Sequence, residues 1–385
     1  MSGKTILRGI TWNHTRGFLP LVATAQRFTE LHSGLEIIWE KRSLQEFADA
    51  PISGLIEKYD LLVIDHPWAG HGAANHALLP LEKYLPADFL ADQKANQAGP
   101  SHDSYTFDGV QTALAIDAAT PVSSWREELL NEAPPKNWDE VLTLARTGKV
   151  LFAGIPIDSL MNFYMLCVAL GEAPFAQKET VISRETGRRV LQYLRELAAL
   201  CPPWIFSANP IAVYEALSRS DNFVYCPFAY GYSNYSRRGY SAKPLTFGDL
   251  PEFAGKLLQS TLGGTGLSIS ARTSHRDLAV AYVTFVASPE IQKTIYTAAG
   301  GQPGHRAAWL DAENNRTSNN YFRRTLPALT RAYLRPRYNG YLHFQDRAGE
   351  GVRAFMMGEA HADAVLEKMD ALYAESLVIL HPTFS

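Results

Sequence analysis

The chain has 385 residues, of which 46% are hydrophobic and 19% are charged, and its formal net charge is -3. At roughly 100 to 200 residues per domain, this length predicts two or three domains' worth of core. Acidic and basic residues are interspersed, so the chain has no strong field to attract a phosphate backbone or an anionic lipid surface. We therefore expect no nucleic-acid partner. The apolar content also argues against a disordered chain.

Targeting signals and cysteines limit the cellular compartments in which the protein could function. No segment reaches the roughly 18 apolar residues of a membrane span, so we expect no membrane insertion. Residues 1–4 run directly into a strand pattern, without the features of a secretory signal. Either a signal peptide was removed, which places the protein in the periplasm or outside the cell, or Met1 is the native start and the protein is cytoplasmic. Cys167, Cys201 and Cys226 are widely spaced and predict no disulfide framework.

The first 65 residues alternate between strand and helix patterns. Residues 10–12 and 35–39 are typical of strands, and residues 19–32 carry the apolar stripe of an amphipathic helix. A second helical segment over residues 44–59 leads into residues 60–65, a continuous apolar run typical of a strand buried on both faces of a parallel sheet. This order predicts a doubly wound α/β sheet, whose ligands gather at the carboxyl ends of the strands.

Further elements are predicted along the remaining chain, and its middle region is expected to form a second, α-rich domain. After a strand over residues 112–117, an extended stretch over residues 118–121 is typical of a crossing between domains, and a helix over residues 122–130 is predicted to follow it. Asn137 is predicted to be the N-cap of a further helix, and Glu140, three residues later, gives a capping-box arrangement. Other predicted elements are the helices over 138–146, 160–170, 188–200, 277–286 and 289–299, and a short strand over 267–271.

Several short motifs occur in a characteristic order. They are GLEIIW at 34–39, DLLVID at 60–65, AID at 115–117 with TPVSSWREELL at 120–130, PKNWDE at 135–140, TLGGTGLSIS at 261–270, SPEIQ at 288–292 and GGQP at 300–303. Their order and spacing together resemble the family 1 extracellular solute-binding proteins, the large carbohydrate-type group of substrate receptors for ABC transporters. The glycine-rich motif and the SPEIQ to GGQP stretch carry the most specific part of this resemblance.

The resemblance implies a fold and a function. The fold would be periplasmic binding protein-like (type II), with two doubly wound α/β domains joined by a multi-segment hinge that closes on a solute in the cleft between them. The first domain would comprise residues 1–117 and 266–313, and the second residues 118–265 and 314–385. Such a protein captures a small solute for an ABC permease and needs no cofactor. We expect a monomer.

Polar and aromatic side chains follow the predicted strands and helix starts, where a binding site needs them. In the first domain the candidates are Trp12, Asn13, His14, Arg16, Arg42, Asp65, His66, Trp68 and Asp117, and Thr265 is the candidate at the second crossing between the domains. In the second domain they are Asp158, Asn162, Phe228, Tyr230 and Tyr232.

Each of these predictions has a simpler structural alternative. Trp12 and the second-domain aromatics could be core residues, Arg42 could belong to a solvated charged edge, and Asp158 could be a helix N-cap. As a site residue, Arg42 could hold a carboxylate through two parallel hydrogen bonds. The expected solute is therefore a sugar, a sugar acid or another organic carboxylate.

Other kinds of site lack support in the sequence. His66, His71 and His76 recur every five residues, which matches no established zinc spacing, so we expect no metal. The glycines at 263–266 lack the lysine and hydroxyl residue of a nucleotide loop. The alternative function is a cytosolic enzyme or ligand sensor on the same fold, acting on an anionic small molecule. In an enzyme, His14, Asp65 and His66 would be the acid and base groups.

Overall fold

The computed structural model describes residues 4–49, 52–130 and 132–378. The chain divides into two compact units. The first unit takes its described residues from Met1–Ala119, Leu262–Arg323 and Arg337–Asn339, and the second from Thr120–Thr261, Arg324–Pro336 and Gly340–Ser385. The start of the chain at residues 1–3, on which the signal-peptide argument depends, and residues 379–385 at the end of the predicted second domain lie outside the described residues.

Strands alternate with helices at the start of the described chain, and later strands and helices occur in groups. The strands are β1 (Thr5–Trp12), β2 (Leu35–Arg42), β3 (Leu61–Ile64), β4 (Thr106–Phe107), β5 (Val110–Gln111), β6 (Leu114–Ala119), β7 (Pro121–Trp125), β8 (Tyr225–Tyr230), β9 (Thr246–Gly248), β10 (Glu252–Phe253), β11 (Lys256–Leu257) and β12 (Gly263–Ile269).

The helices vary from short single turns to long amphipathic elements. They are α1 (Thr15–Leu31), α2 (Leu44–Asp49), α3 (Trp68–Ala74), α4 (Ala87–Ala95), α5 (Trp138–Ala145), α6 (Pro156–Ala169), α7 (Arg184–Ala199), α8 (Pro210–Arg219), α9 (Arg276–Ala287), α10 (Pro289–Ile291), α11 (Arg306–Leu310), α12 (Ala312–Thr317), α13 (Tyr321–Thr330), α14 (Tyr341–Met357) and α15 (Ala362–Val378). Among the described residues, no helix combines the length and the apolar content that a membrane crossing requires.

The first unit is built on a five-stranded sheet with the order β2-β1-β3-β12-β6. β1 pairs in parallel with both β2 and β3, whereas β12 runs antiparallel to its neighbours β3 and β6. β3 and β6 are buried at every position, as the continuous apolar pattern predicts for a strand covered on both faces. Helix α1 packs on β2, and α9 packs on β12 and β6. The predicted strand–helix–strand opening is confirmed.

Helix α1 begins four residues before the predicted start at Leu19. Proline removes a backbone donor and normally disfavours a helix interior. In the structure Pro20 is accommodated inside α1, and His14 provides the N-cap. The helix predicted over residues 44–59 is in turn too long: α2 ends at Asp49, and a short 3-10 turn follows at Ile52–Gly54.

The second unit contains a three-stranded antiparallel sheet with the order β8-β7-β9. The helix predicted over residues 122–130 is wrong, because Pro121–Trp125 is the central strand β7 and only a short 3-10 turn follows at Glu127–Leu129. Val122, Ser123 and Ser124 are buried in this strand. Beside the sheet, α14 packs against α6, α7 and α15.

The predicted N-cap of α5 at Asn137 is confirmed, and Glu140 turns back onto it in a variant of the predicted capping box. The side chain of Asn137 accepts a hydrogen bond from the backbone N–H of Glu140 at 3.0 Å. In return the Glu140 carboxylate accepts from the Asn137 amide and from the backbone N–H of Lys136, both at 2.7 Å. These contacts satisfy backbone donors at the start of the helix.

Candidate functional site

The first sheet places several predicted residues at one edge. β1, β2 and β3 are parallel, and β12 is antiparallel to both β3 and β6, so the ends of β1, β2, β3 and β6 lie beside the start of β12. The register pairs Trp12 with Arg42 and Asp117 with Thr265. Asp65 follows β3 directly. We call this group, Trp12, Arg42, Asp65, Asp117 and Thr265, the carboxyl edge.

The loop after β1 is ordered by His14. Its Nδ1 accepts a hydrogen bond from the backbone N–H of Arg16 at 3.0 Å, and its ring stacks on Trp12 with 5.4 Å between centroids. Burial, assisted by the nearby Arg16 charge, lowers the pKa of His14 to about 3. The imidazole is therefore neutral at neutral pH, with its proton on Nε2, and it can donate one hydrogen bond. It is too weak a base for the acid–base role in the enzyme alternative.

Exposure divides the residues of this loop. Trp12 is only 3% exposed and contacts Phe47 at 6.2 Å between ring centroids, so its indole is largely covered. Asn13 is exposed, and its backbone N–H donates to Arg42 O at 2.8 Å. This hydrogen bond holds the ends of β1 and β2 together. The imidazole ring of His14, in the loop after β1, is half-buried.

Arg16 is neutralised within the first unit. Its Nε donates to Oδ2 of Asp117 at 2.8 Å, and a second guanidinium nitrogen bonds Oδ1. Both side chains are buried. Burial raises the pKa of Asp117, and the Arg16 guanidinium opposes that rise. The pair positions the start of α1 against β6 and adds no net charge to the carboxyl edge.

Arg42 stands in a different environment. Its Nη1 donates to the backbone oxygen of Glu46 at 3.0 Å, and its guanidinium lies 5.3 Å from the centroid of the Phe47 ring. The residue is 9% exposed, and its buried Nε has no acceptor among the described residues. Because Phe47 contacts both Arg42 and Trp12, these two predicted residues lie on the same side of the sheet. Sequence reasoning missed Phe47, although it lies in the helical segment that follows β2.

The loop after β3 contains Asp65, His66 and Trp68. Asp65 Oδ1 accepts from the backbone N–H of His66 at 2.8 Å and lies 3.1 Å from its Nδ1. The Asp65 side chain is 25% exposed, whereas His66 is fully buried with its ring edge-on to Tyr105. Trp68 is the buried first residue of α3 and packs edge-on against His71. Asp65 is thus the accessible carboxylate of this loop.

Glycine allows β12 to approach β6 beside Thr265. Gly264 has a φ of +110°, and a Cβ atom there would clash with the backbone oxygen of Asp117. The strand register shifts between Thr265 and Gly266. β6 is supported on its other side by Gln302, whose Nε2 donates to Ala118 O at 2.9 Å. The glycine-rich motif therefore serves close strand packing.

In the second unit, Asp158 and Asn162 lie one turn apart on α6. The N-cap of α6 is Ile155, so the alternative of an N-cap role for Asp158 is wrong. Asp158 is 5% exposed, and burial raises its pKa to about 7. Asn162 is also buried, and its amide donates to Ala153 O at 3.3 Å. Residues four apart share one face of a helix, so the two side chains are neighbours.

The second-unit aromatics separate by burial. Phe228 is fully buried, with its ring stacked on Trp138 at 6.3 Å between centroids, and Tyr232 packs edge-on against Tyr214. Tyr230 is partly exposed, and its hydroxyl lies 2.9 Å from Thr261 Oγ1. Phe228 and Tyr232 therefore pack in the core of the second unit, and Tyr230 is the more accessible of the three.

Within the described residues, no group of three or more histidine, cysteine or acidic side chains is arranged to hold a metal ion. The structure assigns Cys167, Cys201 and Cys226 as buried free thiols.

The fold and the carboxyl edge together have the form of a two-unit α/β solute receptor. Residues 23–321 match the family described as bacterial extracellular solute-binding protein, which is more than half of the chain. The chain belongs to this family, and the resemblance seen in the sequence is confirmed.

One curated relative is the y4oP protein of Sinorhizobium fredii, whose name describes a probable amino-acid ABC transporter periplasmic-binding protein. It is 25% identical over 193 residues, which are 47% of this chain and 43% of the relative. The match thus spans less than half the length of that relative.

Solved structures resemble the chain over nearly its whole length. A maltose-bound MalE3 of T. maritima has a TM-score of 0.83 at 17% identity and covers 96% of this chain and 99% of its own. A solute-binding protein of Agrobacterium radiobacter K84 in complex with ribitol has the same TM-score and identity, with 97% and 99% covered. A protein of Thermotoga lettingae bound with α-D-tagatose has a TM-score of 0.78 at 16% identity, with 96% and 100% covered. These likenesses show the periplasmic binding protein-like fold.

Proposed function

We propose that this chain is the solute-binding component of an ABC importer and that it captures a small polar solute of the sugar, sugar-acid or organic-carboxylate class. The observation that carries the proposal is the carboxyl edge together with His14 beside it. Here one sheet brings a hydrogen-bond acceptor, a hydrogen-bond donor and aromatic rings together from the ends of its strands. In open α/β sheets, ligands bind beyond the carboxyl ends of the strands. An ABC permease is the partner that this function requires.

The chemistry of the carboxyl edge fits a polyhydroxylated solute. Asp65 offers a partly exposed carboxylate that accepts hydrogen bonds from hydroxyl groups. His14 is neutral and half-buried, and its Nε2–H donates. Its ring, stacked on Trp12, also presents a flat surface to a sugar ring. A site with a few fixed polar groups on an apolar surface is the usual design of a small-molecule receptor.

The structural relatives support the sugar class. Those proteins are bound to maltose, ribitol and tagatose, which are polyhydroxylated molecules without a charged group. The curated relative is instead described as an amino-acid receptor. These solutes belong to those proteins, and for this chain they define the range of compounds to test.

Replacing one side chain of the carboxyl edge tests this proposal. Asp65→Asn keeps the size of the side chain and removes its charge, and we expect at least a tenfold loss of affinity for the solute, measured by calorimetry. The matched control is Asp277→Asn, because the Asp277 side chain is 93% exposed near the start of α9, which follows the opposite end of β12. If Asp65→Asn and the wild type bind the solute with equal affinity, Asp65 does not take part in binding.

A further inference from the structure

We propose that Arg42 binds an acidic group of the solute, so that the preferred solute is a hydroxylated carboxylic acid such as a sugar acid. This inference depends on the proposed solute-binding function and narrows its substrate class. It starts from one observation: the guanidinium of Arg42 is largely buried at the carboxyl edge and forms no ion pair with any carboxylate side chain that the structure describes.

A buried guanidinium is normally paired with an acid, since an unpaired charge is costly to remove from water. Arg16, at the start of α1, follows this rule through Asp117. Arg42 does not: its one hydrogen bond given by the structure goes to the neutral backbone oxygen of Glu46. Among the side chains that the structure describes, none forms an acidic ion pair with Arg42, and Glu46 interacts with it only through its backbone oxygen and at longer range.

The carboxylate of Glu46, four residues after Arg42, has another hydrogen-bond partner. The Glu46 carboxylate accepts from the backbone N–H of Ser43 at 2.7 Å, and the Ser43 hydroxyl accepts from the backbone N–H of Glu46 at 3.1 Å. This reciprocal pair caps the start of α2. Glu46 is also exposed, so its attraction for Arg42 is weakened by water.

The surroundings of Arg42 fit it for holding an anion. Phe47 fixes the guanidinium from one side, so little side-chain freedom remains to be lost on binding. The group is already largely removed from water, which makes a carboxylate a better partner than a neutral hydroxyl. The buried Nε adds a donor that no described residue accepts.

The other charges near the carboxyl edge indicate which further chemical groups the solute should carry. Arg16 and Asp117 cancel each other, which leaves Arg42 as the buried cation of this edge and Asp65 as the accessible anion. A simple dicarboxylate would meet Asp65 with a like charge. A molecule with its carboxylate at Arg42 and hydroxyl groups at Asp65 satisfies both, and this is the chemistry of a sugar acid.

The test compares matched neutral and acidic compounds on the full chain by calorimetry. The pairs are glucose with glucuronate, galactose with galacturonate, and ribitol with ribonate, each at pH 7 and fixed ionic strength. We expect at least one acid to bind at least tenfold more tightly than its neutral partner. Equal or tighter binding of the neutral compounds would overturn the inference and leave the proposed function standing. Binding of no compound in any pair would count against both.

Variants identify Arg42 as the source of the preference. Arg42→Gln should reduce the acid-to-neutral ratio at least tenfold, and Arg42→Lys should retain part of it. The control is Arg272→Gln, since Arg272 is exposed beyond the end of β12 at the opposite edge of the sheet. An unchanged ratio in a folded Arg42→Gln protein would contradict the inference.

A chemical derivative of the solute tests the inference if Arg42→Gln does not fold. The methyl ester of the acid that binds best retains the hydroxyl groups of the solute, loses its charge and adds one methyl group. Its affinity for the wild-type protein should fall to that of the neutral sugar. An ester that binds as tightly as the acid would overturn the role of Arg42 without any mutation.

Discussion

Arg16 at the start of α1 and Asp117 on β6 form a buried two-point ion pair between side chains that are 101 residues apart in sequence. The pair joins the start of α1, which follows β1, to β6, the last strand in the order of the sheet. It also lies beside Trp12, since the Arg16 guanidinium is 5.7 Å from the centroid of that ring. The geometry of the carboxyl edge therefore depends on this pair.

Removing one partner of the pair should destabilise the protein strongly. Asp117→Ala leaves a buried guanidinium without its carboxylate, and we expect the free energy of unfolding to fall by about 3–5 kcal/mol. The double variant Arg16→Met with Asp117→Leu removes both charges and should cost less than Asp117→Ala alone. Urea unfolding followed by tryptophan fluorescence measures these differences. A double variant at least as unstable as Asp117→Ala would contradict the coupling.

Gly264 should be intolerant of a side chain. Gly264→Ala places a Cβ atom against the backbone of Asp117 at a positive φ, so the strands must move apart. The control is Gly34→Ala, where φ is also positive at +80° but no atom lies within 4 Å of the added Cβ. Both variants have the backbone strain, and only the first has the clash. We expect Gly264→Ala to lower the unfolding temperature clearly more than Gly34→Ala; equal shifts would refute the packing argument.

Asp158 should give the protein a stability that depends on pH. Its folded pKa is raised to about 7, above the value of about 4 for an unfolded aspartate, so between these pH values the folded state keeps a proton that the unfolded state releases. Stability contributed by this proton is complete below about pH 4 and is lost as the pH rises through 7. Relative to Asp158→Asn, the wild type should therefore lose up to about 1.4 kcal/mol per pH unit in this window.

Chemical unfolding at a series of pH values measures this difference. The comparison with Asp158→Asn cancels the contributions of the other acids, which both proteins share. Parallel stability curves between pH 4 and 7 would show that Asp158 has an ordinary pKa in the folded protein.

His14 should remain neutral across the physiological range. Because burial and Arg16 lower its pKa to about 3, its ring signals in nuclear magnetic resonance spectra should not shift between pH 5 and 8. The signals of His14 are those missing from the spectrum of His14→Gln. A titration midpoint near 6.5 for this ring would mean that it is solvated and that Nδ1 does not hold the Arg16 backbone N–H.

Local pattern predicted much of the fold. The apolar periodicity of α1, the continuous runs of β3 and β6, and the capping box of α5 are properties of neighbouring residues, so the sequence shows them directly. The error at residues 122–130 has a different origin. Glu127, Glu128 and Leu129 suit a helix, but the preceding residues form β7 because β8 and β9 pair with it from far along the chain. Such pairing leaves no local pattern.

The candidate site was predictable only in part for the same reason. Strand ends can be located from sequence, so the positions of Trp12, Arg42 and Asp65 at one edge follow from the parallel arrangement. Which charges pair does not follow, because Arg16 and Asp117 come from distant segments. The contrast between the paired Arg16 and the unpaired Arg42 therefore required the structure. The role of these residues in solute binding stays a prediction.

The most direct test of the account is a thermal-shift screen of the purified chain against sugars, polyols, sugar acids, other carboxylates and amino acids, with mass spectrometry of each compound that binds. A solute at about 100 times its dissociation constant stabilises a protein by about 2.7 kcal/mol, which is an easily measured shift. The account predicts that at least one hydroxylated compound raises the unfolding temperature and is recovered unchanged. Stabilisation by none of them, or conversion of the bound compound to a product, would contradict a solute receptor.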